Sequence, residues 1–158
     1  MTYEEWEPMV PDVVKEDRIW RVQAYRLALY LADAATFDTR GLATDPRFTL
    51  SVTQLCKAAG SVSANIAEGY PRRSSKDRIK FYEYALTSLA EAKSWYLQIR
   101  GMLAGATMND RLATMRSISR LLITMMRSAR ANGAIDFERL QRPSGSASSK
   151  GVEQPDDK

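Results

Sequence analysis

The sequence contains no histidine and only one cysteine among its 158 residues. Without an imidazole there is no Ser-His-Asp or Cys-His nucleophile, no histidine general base and no histidine-containing metal site. With Cys56 alone there is no intramolecular disulfide and no four-cysteine zinc site, a composition that suits a reducing compartment. Because these absences exclude the enzyme classes that depend on such groups, we expect a protein that is not an enzyme and that uses no metal or cofactor.

The sequence also lacks a long uncharged apolar run. No uncharged stretch reaches the ~18 residues that a membrane span requires, and the segment Met1–Glu7 is acidic where a secretory signal is basic. Prolines are scarce in the middle of the chain, where Pro46 and Pro71 alone interrupt residues 12–142. The absence of a long apolar run predicts a cytoplasmic protein with no membrane contact. The scarcity of proline predicts that the middle region is helical.

The formal net charge of +4 is the average of regions with opposite charge. Residues 1–17 contain six acidic side chains and one lysine, and residues 143–158 are also acidic on balance. The remaining residues, 18–142, carry 20 basic against 10 acidic side chains. A basic body between acidic ends indicates a polyanionic partner, or ends that mask the basic surface. The alternative is surface charge that serves solubility alone.

Apolar residues recur at spacings of three and four, which predicts four helices. Asp12 or Asp17 is expected near the start of the first helix, Asp45 as the cap of the second, and Ser74 or Ser75 as the cap of the third. The predicted helices run over about 15–39, 46–69, 75–103 and 109–132.

Four such helices with short connections predict an all-α fold, an antiparallel up-and-down four-helix bundle. Residues 1–14 are expected to form an acidic arm or a packed extension, since Trp6 argues against disorder, residues 15–142 the bundle and residues 143–158 a disordered polar tail. The second helix is rich in Ala, Gly and Ser, which places it at the centre of the packing. Gly60 costs about 1 kcal/mol of helix propensity, and we expect a close helix contact there to offset this cost.

A nine-residue segment, Ser-Val-Ser-Ala-Asn-Ile-Ala-Glu-Gly over residues 61–69, is followed by Arg72-Arg73 and by Ser-Leu-Ala-Glu over residues 88–91. This combination resembles the helical-bundle proteins named for 23S rRNA intervening sequences, over about residues 18–130. The motif residues are Ser61, Asn65, Glu68, Gly69, Ser88 and Glu91. Two positions depart from the family pattern: Ser63 stands where proline is common, and Pro71 where glycine is common.

The resemblance implies a homopentameric barrel of helical bundles and an association with rRNA intervening sequences. A related branch of these proteins is the accessory protein of diversity-generating retroelements, which partners a reverse transcriptase and binds nucleic acid. The implied partners are therefore further copies of the chain, RNA or DNA, and a reverse transcriptase. The residues alone do not choose between the two branches.

Two groups of basic residues are candidates for nucleic-acid contact. One surrounds the turn between the second and third helices, with Tyr70 and Tyr82 nearby for base stacking; its members are Arg72, Arg73, Lys76, Arg78 and Lys80. The other follows the fourth helix at spacings that favour one face; its members are Arg116, Arg120, Arg127 and Arg130. The alternatives are a solvated turn whose arginines pair with Glu68, Glu83 or the acidic arm, and fourth-helix arginines that serve subunit contacts or are plain solvated charge.

Asn65 and Glu68 lie three residues apart and resemble a catalytic pair, but a structural role is favoured. The enzyme class natural to a helical bundle is the di-iron carboxylate protein, which needs Glu-x-x-His and is excluded by the missing histidine. Cys56 is expected to pack as a small apolar side chain. The leading hypothesis is a non-enzymatic oligomer that binds RNA or an RNA–cDNA intermediate, and the competing hypothesis is a protein-binding scaffold.

Overall fold

The computed structural model describes the backbone of residues 1–141 and the side-chain surroundings of residues 1–131. Within residues 1–141 every regular element is helical, which confirms the all-α prediction for this part of the chain. The α-helices are α1 (Tyr3–Trp6), α2 (Asp12–Glu16), α3 (Gln23–Thr39), α4 (Thr49–Gly69), α5 (Ser75–Gln98) and α6 (Gly105–Gln141). Single 3-10 turns cover Glu7–Met9, Arg18–Arg21 and Arg100–Met102. The predicted tail, residues 143–158, lies outside the described residues.

The four longer helices surround one apolar core. Helix α4 packs between α3 and α5, and α6 contacts α5 and α3. Neighbouring helices run in opposite directions, because the end of α4 at Gly69 meets Phe81 near the start of α5. In the same way Arg111, near the start of α6, bonds Asp38 at the end of α3. The fully buried residues at the centre include Leu31, Leu55, Val62, Ile66, Ile118 and Leu122.

The first long helix begins later than predicted. It starts at Gln23 rather than near Lys15, because residues 12–16 form the separate helix α2 and Arg18–Arg21 form a 3-10 turn. This turn carries the Trp20 side chain into a buried position. The predicted end of the helix at Thr39 is confirmed.

The second long helix begins at Thr49, and Asp45 does not cap it. The Asp45 carboxylate instead accepts the backbone N–H of Arg47 at 2.9 Å and pairs with the Arg47 guanidinium at 2.7 Å. These hydrogen bonds from Arg47 hold the pKa of Asp45 below its usual value. The end of the helix at Gly69 is confirmed.

Ser74 caps α5 as predicted, since its hydroxyl accepts the backbone N–H of Asp77 at 3.3 Å. The helix ends at Gln98, before the predicted Leu103, because a 3-10 turn follows. Helix α6 starts at Gly105 rather than Asn109 and continues through residues 132 and 133 to Gln141. The predicted stop at Asn132-Gly133 is therefore wrong.

The N-terminal 21 residues form a layer against the outer side of α3. Trp6 is 3% exposed and packs with Trp20, Tyr30 and Ala34 in a cluster separate from the central core. The Trp6 indole N–H donates to the Asp33 carboxylate at 2.7 Å. The acidic arm is thus a packed part of the fold.

A buried arginine joins this layer to the central helices. The Arg111 side chain is 2% exposed, and its guanidinium makes a two-pronged pair with Asp38, at 2.7 Å from Nε and 3.0 Å from Nη2. Nη2 also donates to the Met1 carbonyl at 3.0 Å, and Nη1 donates to the Tyr30 hydroxyl and to Asp110. All five N–H donors of the guanidinium therefore have acceptors, which is the condition for burying this charge without a large penalty.

Two glycines in α4 have opposite surroundings. A Cβ added at Gly69 would lie 2.9 Å from the Phe81 Cβ, so α5 approaches the end of α4 too closely for any side chain. A Cβ at Gly60 would have no heavy atom within 4 Å, so the close contact expected there is absent from the described structure. Ser63, one of the departures from the family pattern, lies within the uninterrupted α4 and donates its hydroxyl to the Gly60 carbonyl at 3.0 Å.

Candidate nucleic-acid interface

The arginines predicted on the fourth helix share one exposed side of α6. Successive residues are rotated by about 100° and rise by about 1.5 Å, so Arg116 to Arg130 occupy an arc of about 80° over roughly 21 Å. All four side chains are exposed. Among residues 1–131, Arg116, Arg120 and Arg127 have no ion-pair partner, while Arg130 lies 3.9 Å from the Glu83 carboxylate.

The contact between Arg130 and Glu83 shows how α5 meets this side of α6. Because the two helices are antiparallel, the late part of α6 lies beside the early part of α5. Lys76, Lys80 and Glu83 follow one another at spacings of four and three, so they share a side of α5. Lys76 and Lys80, predicted as part of the turn, therefore lie on the exposed surface of α5 close to the end of α6 that carries Arg127 and Arg130.

A further lysine, which the sequence analysis missed, lies on the α6 side of α5, rotated by about 140° around the helix from Lys80. Lys93 lines a groove between α5 and α6 together with Arg116 and Arg120. Its position follows from Leu86, seven residues earlier, whose side chain reaches the same groove. The seven-residue spacing from Leu86 identifies Lys93 only once the helix that faces α5 is known. We call the following set the basic face: Lys76, Lys80, Lys93, Arg116, Arg120, Arg127 and Arg130.

Two of the predicted turn residues stabilise the turn itself. The Arg72 guanidinium pairs with the Glu68 carboxylate at 2.9 Å and lies over the Phe81 ring, 4.9 Å from its centroid. Arg78 donates from Nε and Nη2 to the Arg72 carbonyl, at 3.2 and 2.6 Å. Pairing with Glu68, the alternative considered for this turn, is thus what the structure shows for Arg72. Arg73 is exposed beside them.

The two tyrosines expected near this turn differ in accessibility. Tyr82 is 2% exposed, and burial raises the pKa of its hydroxyl. Because its ring faces the core, the prediction that Tyr82 stacks on bases is wrong. Tyr70 is 37% exposed and remains available for such a contact.

The motif residues make local contacts. On α4, the Asn65 amide donates to the Ser61 carbonyl at 2.7 Å, and the Ser61 hydroxyl donates to the Lys57 carbonyl at 2.9 Å. The amide of Asn65 therefore bonds within its own helix, which fits the structural role favoured for it. On α5, Ser88 is half-buried and the Glu91 carboxylate accepts the Trp95 indole N–H at 3.4 Å.

The acidic arm does not pair with the basic face. Within the described side chains, its ion pair with a residue beyond the arm joins Glu7 to Arg26 of α3 at 3.8 Å. Its other ion pairs, such as Lys15 with Asp12, are internal. Direct masking of the basic face by the arm is therefore not seen in residues 1–131.

No group of three or more His, Cys, Asp or Glu residues in the described part of the chain is placed to hold a metal ion. In the same residues no helix combines the length and apolar character that crossing a membrane requires.

Comparison with known proteins places these features in a family. Residues 21–124 match the family model of the 23S rRNA-intervening sequence protein. A solved structure from Bacteroides thetaiotaomicron, described as a protein with unknown function from the S23 ribosomal protein family, superposes with a TM-score of 0.59 at 22% identity. The match covers 65% of this chain and 97% of that one, and at this identity it supports the fold alone. No curated protein matches the chain.

Proposed function

Since the chain belongs to the 23S rRNA-intervening sequence protein family, we propose that it is a non-enzymatic protein that binds nucleic acid through the basic face. The ligand is RNA, or an RNA–cDNA intermediate, because the family name refers to an RNA. Arginine and lysine side chains recognise phosphates without contacting the nucleobases, and this binding needs no catalytic group.

The observation that carries the proposal is that two separate basic segments meet along the exposed surface of the antiparallel α5–α6 pair. Lys76 and Lys80 come from the start of α5, Lys93 from its later part, and the four arginines from α6. Arg116, Arg120 and Arg127 are exposed and unpaired among the described side chains. Unpaired guanidinium groups are available for two-pronged phosphate contacts.

Replacing Arg116, Arg120 and Arg127 together by Ala tests the proposal. We expect the affinity for a structured RNA at about 50 mM salt to fall at least tenfold, because three phosphate contacts are lost. The matched control removes three exposed basic side chains elsewhere, Arg18, Arg40 and Lys57, and should retain affinity within about threefold. Equal losses in the two variants would show that net charge, and not the basic face, determines binding.

We further propose that the protein works as a homo-oligomer in the cytoplasm, a pentamer by analogy with the family. In a ring, the basic face would be repeated around the assembly and would strengthen the field felt by a polyanion. Association with an rRNA intervening sequence and service beside a reverse transcriptase are both compatible with this surface. Co-purification of the chain with rRNA, or with a reverse transcriptase, from its native cell distinguishes the two.

The second candidate function is a protein-binding scaffold, which the exposed apolar side chains favour. Met9 and Val13 of the N-terminal layer are 62% and 69% exposed, and Leu50 at the start of α4 is 64% exposed. A cavity of about 600 Å³ lies between this layer and α3. On this hypothesis the triple arginine variant breaks the oligomer, whereas nucleic-acid binding predicts an intact oligomer that no longer binds RNA. Light scattering of that variant separates the two.

A further inference from the structure

The groove beside Lys93 combines two chemistries that phosphate binding alone does not require. Its volume is about 390 Å³, at the lower end of the range for small-ligand pockets. Leu86, Leu89 and Ala90 of α5 face Leu112 and Met115 of α6 across it. Leu89 and Met115 are nearly buried, and Leu86 and Leu112 are half-buried, so the floor is apolar but accessible.

The rim of the same groove is cationic. Lys93 stands on the α5 side, and Arg116 and Arg120 stand one turn apart on the α6 side. None of the three has an ion-pair partner among the described side chains, and all three are exposed. A ligand that fills this groove therefore presents apolar surface to the floor and negative charge to the rim.

Unpaired nucleotides have that combination of surfaces. In a duplex the flat faces of the bases are stacked on one another, so a protein reaches only phosphates and base edges. In a single strand the faces are free to pack on a protein surface while the phosphates contact basic side chains. A duplex would use the rim and leave the leucine and methionine floor uncovered.

Resting on the proposed function, we infer that the α5–α6 groove is a subsite for unpaired bases, so that the protein prefers single-stranded RNA or DNA to duplex. The apolar floor packs on base faces, while Lys93, Arg116 and Arg120 hold the flanking phosphates. Because aliphatic side chains do not read base edges, this subsite tolerates any sequence. The guanidinium planes of the two arginines add a second surface for stacking.

The inference is tested with a 20-nucleotide RNA, alone and annealed to its complement, by fluorescence anisotropy with the full-length protein. The floor variant is Leu86→Gln with Leu112→Gln, which keeps the charge and changes two half-buried side chains. We expect at least tenfold tighter binding of the single strand by the native protein, and loss of most of that preference in the variant. Affinity for the duplex should stay within about twofold.

The matched control is Leu50→Gln with Leu97→Gln, two exposed leucines outside the groove, which should leave both affinities unchanged. Equal affinity of the native protein for both RNAs would overturn the inference while leaving the proposed function intact. Failure to bind either RNA would refute the proposed function itself. A change in oligomer size in the floor variant would show that a second copy covers the groove, which also overturns the inference.

A second measurement needs no variant. Ultraviolet cross-linking of the single-stranded RNA to the native protein, followed by mass spectrometry, should place cross-links in residues 86–93 and 112–120. Cross-links found only elsewhere in the chain would contradict the inference.

Discussion

Arg111 and Arg116 are five residues apart on α6 and have opposite surroundings. Arg111 occupies the core side, at spacings of three, four and seven from Met108, Met115 and Ile118, and is fully paired inside the fold. Arg116 is exposed on the basic face. The apolar spacing of α6 predicted its core side only in part, because a buried arginine interrupts the pattern. Its partners Asp38 and Met1 are distant in sequence, so no local signal identified the pair.

The tyrosines around Arg111 make the free energy of unfolding decrease at alkaline pH. Burial raises the pKa of Tyr30 from 10.0 to about 12; the charge of Arg111 opposes this rise, and Asp110 adds to it. Burial and the nearby Asp38 carboxylate also raise the pKa of Tyr96. A raised pKa means that the folded state keeps a proton that the unfolded chain releases near pH 10. The contribution of Tyr30 is present below pH 10 and is lost between pH 10 and about 12.

We therefore expect the free energy of unfolding to fall above pH 10, by about 1.4 kcal/mol per pH unit for each such tyrosine. Denaturant titrations between pH 8 and 11.5 measure this fall. Tyr30→Phe should be less stable at pH 8 and should show a shallower fall, whereas Tyr84→Phe, at an exposed position, should follow the native curve. A native curve that is flat up to pH 11.5 would contradict the account of this cluster.

Gly60 and Gly69 give a paired test of local packing. Gly69→Ala forces a methyl group against the Phe81 Cβ and the Tyr82 ring, so we expect a loss of about 1–2 kcal/mol of stability. Gly60→Ala meets open space and should gain about 0.5–1 kcal/mol from helix propensity. Urea unfolding measures both changes, and equal changes in the two variants would refute the packing described at the end of α4.

At the scale of the elements, the sequence predicted the helix ends that rest on local chemistry. Ser74 caps α5 by its own hydroxyl, and Gly69 ends α4 where the next helix passes close to the backbone. The predicted start of the first long helix near Lys15 was wrong. Trp20 packs on Trp6, fourteen residues earlier, and this packing interrupts the predicted helix, so that shorter elements form before Gln23. Tertiary packing of this kind overrides local helix propensity.

The N-terminal layer provides a prediction at the same scale. Trp6→Ala should lower the free energy of unfolding by about 3 kcal/mol, because it empties the cluster with Trp20 and Tyr30 and removes the bond to Asp33. Val13→Ala, in the same layer but 69% exposed, should change stability by less than about 0.5 kcal/mol. Denaturant unfolding measures both. Similar small effects in the two variants would show that the layer contributes little to the fold.

At the scale of the whole molecule, the sequence indicated a basic body between acidic ends and two basic segments within that body. Their meeting along one exposed surface required the antiparallel pairing of α5 with α6, which no single segment encodes. The same pairing places Lys93 beside Arg116 and Arg120. Arg72 and Arg78, in contrast, make hydrogen bonds within the turn. The basic face therefore differs in membership from the set predicted by sequence.

The central claim is that the basic face binds nucleic acid through its phosphates, and the dependence of RNA affinity on salt tests it most directly. For about five phosphate contacts with a single strand, the slope of log K against log salt concentration should be about −3.5. In the variant lacking Arg116, Arg120 and Arg127 the slope should become shallower by about 2. No binding at about 50 mM salt, or the same slope in the native protein and the variant, would contradict the account.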